Sequence, residues 1–121
     1  GERHKSWGER RLALKKRLNV ALQLAKAIEY LHSQNMMHRD IKPTNVGFDD
    51  NGVVKLFDFG LALDLGKRRY VIGAAGRCTY MPADMYGYRC YDKSVDVYAF
   101  GWCCGKCALC NRSLLRTTRN L

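Results

Sequence analysis

The stretch that decides the fold is HRDIKPTN, at residues 38–45. It lies between two short apolar runs, so we expect it to connect two elements. Pro43 has no amide hydrogen and restricts the backbone of the residue before it, which disfavours a regular helix or strand here. The sequence therefore predicts a structured polar loop that carries a carboxylate, an ammonium group and a carboxamide.

A small hairpin is predicted directly after this loop. Val46–Phe48 is typical of a short strand, and residues 49–52 (DDNG) favour a turn because Asn and Gly tolerate positive φ. Residues 53–57 would form the returning strand. Because a hairpin returns the chain to its starting edge, we expect Asp58 to lie beside Asn45.

The polar groups gathered at this edge suit phosphate chemistry. Asp40 and Asp58 are carboxylates, Asn45 is a carboxamide and Lys42 is an ammonium group. Mg²⁺ prefers hard oxygen ligands and takes few of them from the protein when substrate phosphates supply the others. A second carboxylate can accept a proton from a hydroxyl group. These are the groups that metal-assisted phosphoryl transfer needs.

The order of motifs resembles that of the eukaryotic protein kinases. Residues 38–45 and Asp58-Phe59-Gly60 are similar to the catalytic loop and the metal loop of that family. Tyr30-Leu31-His32 before them and residues 96–101 (DVYAFG) after them resemble the family in the same order. The Asp-x-Lys-Pro-x-Asn form favours serine/threonine kinases, with the tyrosine-kinase-like branch as the first to consider.

This resemblance implies a fold and a reaction. The fold would be α+β: part of the mainly helical large (C-terminal) lobe of a protein kinase, with one small β-hairpin and with the small lobe absent. The reaction would be Mg²⁺-dependent transfer of the ATP γ-phosphate to a serine or threonine hydroxyl of a protein substrate. By resemblance, Asp40 would be the catalytic base and Lys42 would contact the γ-phosphate. Asn45 and Asp58 would hold Mg²⁺ and the ATP phosphates.

Other residues would support this site by the same resemblance. His38 and Phe59 would pack together in a hydrophobic spine, and Gly60 completes the metal loop. Arg39 would pair with a phosphate on the activation segment, as in the family. Asp96 would anchor the backbone of the catalytic loop. Asp84 keeps a carboxylate where the family's Ala-Pro-Glu is altered to Pro82-Ala83-Asp84.

Three regions follow from these motifs. We expect a loose basic segment over residues 1–11, a partial kinase catalytic domain over 12–101, and a divergent, cysteine-containing basic tail over 102–121. Within the domain, the catalytic loop covers 38–45, the metal loop 58–60 and the activation segment 58–84.

Two helices are predicted. The first covers Leu12–Gln34, and the second begins within Asp92–Gly101, with Asp96 pointing back towards residues 38–40. The apolar face of the first helix is predicted from residues that recur at steps of three and four: Leu14, Leu18, Ala21, Leu22, Ala25, Ile28 and Leu31.

Composition excludes several classes of protein. The chain has 121 residues, of which 47% are hydrophobic and 26% charged, so it is neither collagen-like nor disordered as a whole. No window approaches the about 18 apolar residues of a membrane helix. The net charge of +10 could attract nucleic acid. No nucleic-acid partner is expected, because neither basic end interleaves aromatic residues.

The cysteines indicate a reducing compartment. Four of the six crowd into residues 103–110, whereas a disulfide framework spreads its cysteines across loops. With no secretory signal in the sequence, we expect an intracellular protein, with the cytoplasm as the default. The spacing of Cys104, Cys107 and Cys110 resembles that of a zinc or iron–sulfur site. Cysteines packed in a helical core are the favoured alternative.

The motifs leave other functions open. Taken singly, Asp40 could cap a turn, Lys42 could be solvated, and Asn45 could be a turn residue. The chain could be a pseudokinase-like or remnant interaction module without turnover, or, with less support, a basic nucleic-acid or metal binder. Residues 1–121 alone are expected to transfer no phosphate, because the resemblance does not cover the nucleotide-covering lobe.

The activation segment has an unusual composition. No serine or threonine occurs between Gly60 and Arg77, and Tyr70 is the only hydroxyl there. Either Tyr70 carries a phosphate switch, or the segment is not regulated by phosphorylation. We favour the second prediction, in which the ring of Tyr70 simply packs.

Overall fold

The described part of the chain contains two α-helices and several very short strands. The computed structural model describes residue 4 and residues 6–72, 90–105 and 116–117. Helix α1 covers Trp7–Ser33 and helix α2 covers Ser94–Gly105. The strands are β1 (Met36–Met37), β2 (Val46–Phe48), β3 (Val54–Leu56), β4 (Leu63–Asp64), β5 (Val71–Ile72), β6 (Cys90–Tyr91) and β7 (Arg116–Thr117).

Helix α1 begins earlier than the sequence predicted. Ser6 caps it: the Ser6 hydroxyl accepts the amide hydrogen of Glu9 at 3.2 Å, and the Glu9 carboxylate accepts that of Ser6 at 2.8 Å. This capping box satisfies amides that a helix start leaves without partners. The predicted start at Leu12 is therefore wrong, and residues 7–11 are helical rather than loose. The predicted end, at Ser33 and Gln34, is confirmed.

The buried face of α1 also differs from the prediction. Val20, Leu24 and Ile28 are buried, whereas Leu14, Leu18 and Leu22 are each more than half exposed. The helix carries apolar residues on two faces, and periodicity alone does not say which one packs against the rest of the chain. The prediction of a helix is thus confirmed, while these three leucines of its predicted apolar face lie in solvent.

The predicted hairpin is confirmed. Strands β2 and β3 pair antiparallel, with Val46 opposite Leu56 and Phe48 opposite Val54. In the turn, the Asp49 carboxylate accepts the amide hydrogens of Asn51 and Val53, each at 2.9 Å.

Helix α1 holds the hairpin with a side chain. The side-chain oxygen Oε1 of Gln23 accepts the amide hydrogen of Val54 at 2.9 Å. This bond fixes the returning strand against the helix, and the hairpin in turn sets the position of Asn45 at its start.

The described residues contain three small sheets, so strand pairing extends beyond the one hairpin that the sequence predicts. Strand β1 pairs antiparallel with β4, β5 pairs antiparallel with β6, and β7 adds to β2 in parallel. Strands of two residues are too short to show a periodic pattern, so the sequence could not predict them. The pairs matter for the site because β4 and β5 belong to the long connection that follows the metal loop.

Helix α2 extends past the predicted range. It begins at Ser94 and continues through Gly101 to Gly105. Glycine weakens a helix by about 1 kcal/mol relative to alanine. The burial of Val95, Ala99 and Cys103 on one side of α2 offsets this cost, because packing rather than propensity supplies most helix stability.

Two hydrophobic clusters meet at α2. The helix cluster packs α1 against the hairpin and the C-terminal half of α2, and the strand cluster packs the short strands against the start of α2. Their buried members are Val20, Leu24, Ile28, Ile41, Val46, Val54, Ala99 and Cys103 in the helix cluster, and Met37, Leu65, Val71, Tyr91 and Val95 in the strand cluster.

Asp92 supports the start of α2, and its contribution should depend on pH. Its carboxylate accepts the Ser94 amide hydrogen at 2.8 Å. Hydrogen bonds from the Ser94 side chain and backbone lower the Asp92 pKa below its ordinary 3.8. A lowered folded-state pKa stabilises the fold above pH 3.8 and loses that contribution as pH falls through the lower value.

We therefore expect Asp92→Ala to lower the free energy of unfolding by about 1 kcal/mol at pH 7. Urea titrations should show this difference shrinking as the pH falls below 3.8. Asp92→Asn is the matched control, since it keeps an acceptor but does not titrate. A difference that stays constant down to acid pH would contradict the assigned role of the ionised carboxylate.

Candidate active site

The site is organised around the carboxylate of Asp96, at the start of α2. Asp96 is 1% exposed. Its Oδ2 accepts the amide hydrogen of His38 and its Oδ1 accepts that of Arg39, both at 2.9 Å. The structure thus gives Asp96 the orientation towards residues 38–40 that the sequence predicts. A single buried side chain fixes two consecutive backbone units of the loop.

His32, which the sequence analysis did not place among the site residues, completes this anchor. Its Nε2 lies 2.8 Å from Asp96 Oδ2, and its carbonyl oxygen accepts a hydrogen bond from Lys93 Nζ at 2.8 Å. His32 therefore ties the end of α1 to the start of α2. The Tyr30-Leu31-His32 motif was visible in the sequence, but only the fold brings His32 to a partner so far along the chain.

His38 is a structural support for the loop. It is fully buried, its Nε2 donates to the Phe57 carbonyl oxygen at 2.9 Å, and its Nδ1 accepts the Asp40 amide hydrogen at 3.1 Å. One nitrogen donates and the other accepts, which assigns a neutral ring with its proton on Nε2. The Phe59 ring meets it edge-on at a centroid distance of 5.1 Å. His38 thereby joins the catalytic loop to the metal loop.

The structure brings Asp40, Lys42 and Asn45 together. Asn45 Nδ2 donates to the Asp40 carbonyl oxygen at 2.8 Å and to Asp40 Oδ2 at 3.1 Å. Lys42 Nζ lies 3.6 Å from Asp40 Oδ1. Asp40 is 8% exposed and Asn45 is 1% exposed, whereas the Lys42 side chain is about one third exposed. A carboxylate is thus held from two sides, with an ammonium group at its accessible edge.

Asp58 and Gly60 form a tight turn after the hairpin. The Phe57 amide donates to the Asn45 carbonyl oxygen at 2.7 Å, which fastens the strand end beside the catalytic loop. Asp58 has a left-handed φ of 58° and accepts the Gly60 amide hydrogen on Oδ1 at 3.2 Å. A Cβ atom at Gly60 would lie 3.2 Å from that oxygen, so glycine suits this position. Asp58 and Phe59 are exposed.

Arg39 lies between the catalytic loop and the segment beyond the metal loop. Its Nε donates to the Leu61 carbonyl oxygen at 2.6 Å, and its Nη1 donates to the Tyr91 hydroxyl at 2.9 Å. Its φ of 68° is left-handed, a conformation that costs a residue with a side chain about 1 kcal/mol or more. The bonds at its backbone and its guanidinium offset that cost.

Comparison with known proteins identifies the family. The sequence profile of the protein kinase domain matches residues 3–120. The chain belongs to the protein kinase family. This kinase chain is 36% identical over 84 residues to the probable serine/threonine-protein kinase mkcD of Dictyostelium discoideum, a match that covers 69% of this chain and 13% of that protein.

Two further relatives are similar to this kinase chain. The eukaryotic translation initiation factor 2-alpha kinase 3 of Rattus norvegicus is 33% identical over 118 residues, which are 83% of this chain and 11% of that protein. A leaf rust 10 disease-resistance locus receptor-like protein kinase of Arabidopsis thaliana is 41% identical over 87 residues, which are 70% of this chain and 13% of that protein. The kinase chain thus spans about an eighth of the length of these relatives.

The donor groups of the kinase site fit a metal that arrives with phosphates. Among the described residues, the Asn45 side chain forms two hydrogen bonds through its amide nitrogen, which leaves the carboxamide oxygen as a hard ligand. Asp58 adds an exposed carboxylate. Within the described residues, no group of three His, Cys, Asp or Glu side chains could hold a metal ion. This set suits Mg²⁺, which relies on substrate phosphates and water for its other ligands.

The cysteine cluster is only partly described. Cys103 is 1% exposed in the helix cluster, and burial raises its pKa to about 11. A thiol with this pKa stays protonated at neutral pH and is a poor nucleophile and metal ligand. Cys103 is therefore a core residue, as the sequence analysis favoured. Cys107 and Cys110 lie outside the described residues.

Some sequence-based expectations lie beyond the described ranges. Asp84 falls between residues 73 and 89, so the altered Pro82-Ala83-Asp84 motif lies outside the described residues. Among the described helices of this kinase chain, neither α1 nor α2 has the length and apolarity needed to cross a membrane.

Proposed function

We propose that this chain is the part of a serine/threonine-protein kinase large lobe that carries the catalytic and metal loops. Residues 12–101 would form this part of the domain. It would transfer the γ-phosphate of ATP to a serine or threonine hydroxyl of a protein substrate, with Mg²⁺ as cofactor. The observation that carries the proposal is the Asp40 carboxylate, held by Asn45 at 3.1 Å with Lys42 Nζ at 3.6 Å.

Asp40 would act as the base. Its neighbours fix its position, and its slight exposure lets a substrate hydroxyl approach. The hydroxyl oxygen would form a bond to the γ-phosphorus while the bond from phosphorus to the bridging oxygen of ADP breaks. Asp40 would orient the hydroxyl and accept its proton, and ADP would leave with the bonding electrons.

Lys42 would stabilise the charge that moves in this step. Its ammonium group is close enough to Asp40 to reach a phosphoryl oxygen beside the attacking hydroxyl. A cation held near the transferred group stabilises the transition state more than the ground state, because its position costs no reorganisation during reaction.

Asn45 and Asp58 would hold the metal from two sides of the hairpin base. Mg²⁺, when bound, neutralises charge on the ATP phosphates. Asn45 is rigid, since its amide nitrogen is bonded to both the backbone and the side chain of Asp40. Asp58 is exposed, and its Oδ1 accepts the Gly60 amide hydrogen in its own turn, so its carboxylate is accessible to a metal ion.

Removal of the metal ligand tests this proposal. In the full-length protein that carries this chain, we expect Asp58→Ala to lower kcat by about 10²- to 10³-fold, because one Mg²⁺ ligand is lost. Radiolabelled phosphate transfer to a generic protein substrate measures the rate. Asp50→Ala removes an exposed carboxylate from the hairpin turn and is the matched control.

The alternative functions predict other results. A pseudokinase-like or remnant interaction module would show no phosphate transfer in the wild type. A protein whose activity responds equally to Asp58→Ala and Asp50→Ala would contradict the proposed metal site. Titration with Mg²⁺ sharpens the test, since Asp58→Ala should also raise the Mg²⁺ concentration needed for half-maximal rate.

A further inference from the structure

Arg39 carries a positive charge whose partners in this structure are neutral. The guanidinium donates to the Leu61 carbonyl oxygen and to the Tyr91 hydroxyl. Within the part of the chain that the structure describes, no carboxylate forms an ion pair with Arg39. The Arg39 side chain is half-buried, so these two acceptors stabilise its charge in place of water.

Tyr91 follows the activation segment in the sequence and is buried in the fold. It belongs to β6, which pairs with β5 through Val71 opposite Tyr91. Its side chain is 4% exposed and packs in the strand cluster beside Val95. The ring is therefore fixed by apolar packing, and its hydroxyl reaches Arg39 from a rigid position.

The sequence supplies a second, independent observation. A kinase activation segment is commonly ordered by a phosphate that pairs with the arginine of the catalytic loop. This chain has no serine or threonine between Gly60 and Arg77, and its Tyr70 is 53% exposed at the end of a basic run. Tyr70 is thus the only side chain between Gly60 and Arg77 that could accept a phosphate on a hydroxyl.

We propose that the Tyr91 hydroxyl takes the place of an activation-segment phosphate as the partner of Arg39. Tyr91 is then a positioning residue, and the kinase needs no phosphate on this segment to order its catalytic loop. The inference rests on the proposed kinase function for its effect on turnover. Its structural half, the coupling of Tyr91 to the loop, can be tested without activity.

The bonds of Arg39 show how this positioning works. Its amide is held by Asp96, its Nε holds the chain beyond the metal loop at Leu61, and its Nη1 is held by Tyr91. The arginine thus joins α2, the metal loop and β6 at one point. Removing the Tyr91 hydroxyl frees the Nη1 end of the Arg39 guanidinium. The positions of Leu61 and of Asp40, which follows Arg39, then become less fixed.

Hydrogen–deuterium exchange on the 121-residue chain tests the coupling. We expect Tyr91→Phe to speed amide exchange about tenfold at residues 39–41 and 61–63, since a hydrogen bond to a charged group is lost. Tyr70→Phe removes an exposed hydroxyl and should change neither segment. Equal exchange in Tyr91→Phe and wild type would overturn the inference.

A double-mutant cycle separates this coupling from simple loss of packing. Arg39→Gln and Tyr91→Phe should each speed exchange at residues 61–63, and the double variant should be no faster than the faster single variant. Additive effects would mean that the two side chains act independently, which overturns the inference. Tyr91→Phe keeps the buried ring, so the chain should retain its fold and its melting temperature within a few degrees.

Turnover is then measured in the full-length protein. We expect phosphatase treatment to leave kcat unchanged, and Tyr91→Phe to lower kcat about tenfold while KM for ATP stays the same. Loss of activity on phosphatase treatment would overturn the inference. An Asp40→Ala variant as active as wild type would instead reject the proposed kinase function, and the exchange result would still decide the role of Tyr91.

Discussion

Asp40→Asn is expected to lower the kcat of phosphate transfer by about 10²- to 10⁴-fold. The amide is nearly the same size as the carboxylate, so the contact with Asn45 persists in shape. It cannot accept the proton of the substrate hydroxyl, and it removes the negative charge that faces Lys42 at 3.6 Å. Single-turnover transfer of radiolabelled phosphate by the full-length protein measures the effect.

The chain offers a close control for this variant. Asp49 also faces a lysine, with Lys55 Nζ at 3.9 Å, and its oxygen accepts two turn amides. Asp49→Asn removes a similar ion pair from the hairpin, away from the loop, and an amide oxygen can still accept both hydrogens. Equal activity in the two variants would show that Asp40 does not act as the base. ATP affinity should be nearly unchanged in both.

Asp96→Asn should cause the largest loss of stability in the chain, about 3–5 kcal/mol in the free energy of unfolding. The carboxylate accepts the amide hydrogens of His38 and Arg39 and contacts His32 at full burial. An amide places an NH₂ group against one of these donors, which leaves buried polar groups without partners. Urea unfolding of the 121-residue chain, followed by circular dichroism, measures the difference.

Asp92→Asn controls for the chemistry of the change. Asp92 lies just before the same helix but is exposed, and an asparagine at this position keeps an oxygen that can accept the Ser94 amide hydrogen. We expect its effect at pH 7 to be within about 0.5 kcal/mol. A loss below about 1 kcal/mol in Asp96→Asn would show that other groups take over the loop amides.

The sequence predicted those features whose signal is local. The hairpin followed from the turn residues 49–52 between two apolar runs, and Asp49 forms the turn bonds that such residues make. The direction of Asp96 and the contact of Phe59 with His38 came from the kinase resemblance rather than from spacing. The roles of Asp40, Lys42, Asn45 and Asp58 stay predictions until turnover is measured.

Features that depend on long-range choices could not be predicted. Helix α1 has apolar residues on two faces, and only contact with Ile41 and Val46 in the helix cluster selects the face of Leu24. Gln23 was indistinguishable from any polar helix residue until the hairpin brought the Val54 amide to it. The Arg39–Tyr91 bond likewise joins residues that no local pattern connects.

The part of the catalytic loop that carries Asp40 is flanked by buried residues of two different hydrophobic clusters. Met37 lies in the strand cluster and Ile41 in the helix cluster, and Asp40 lies between them. Among the described elements, only helix α2 contributes buried residues to both clusters, through Val95 and Ala99. Helix α2 therefore sets the distance between the two clusters on either side of Asp40. A kink or tilt in this helix would misalign the base without any substitution near it.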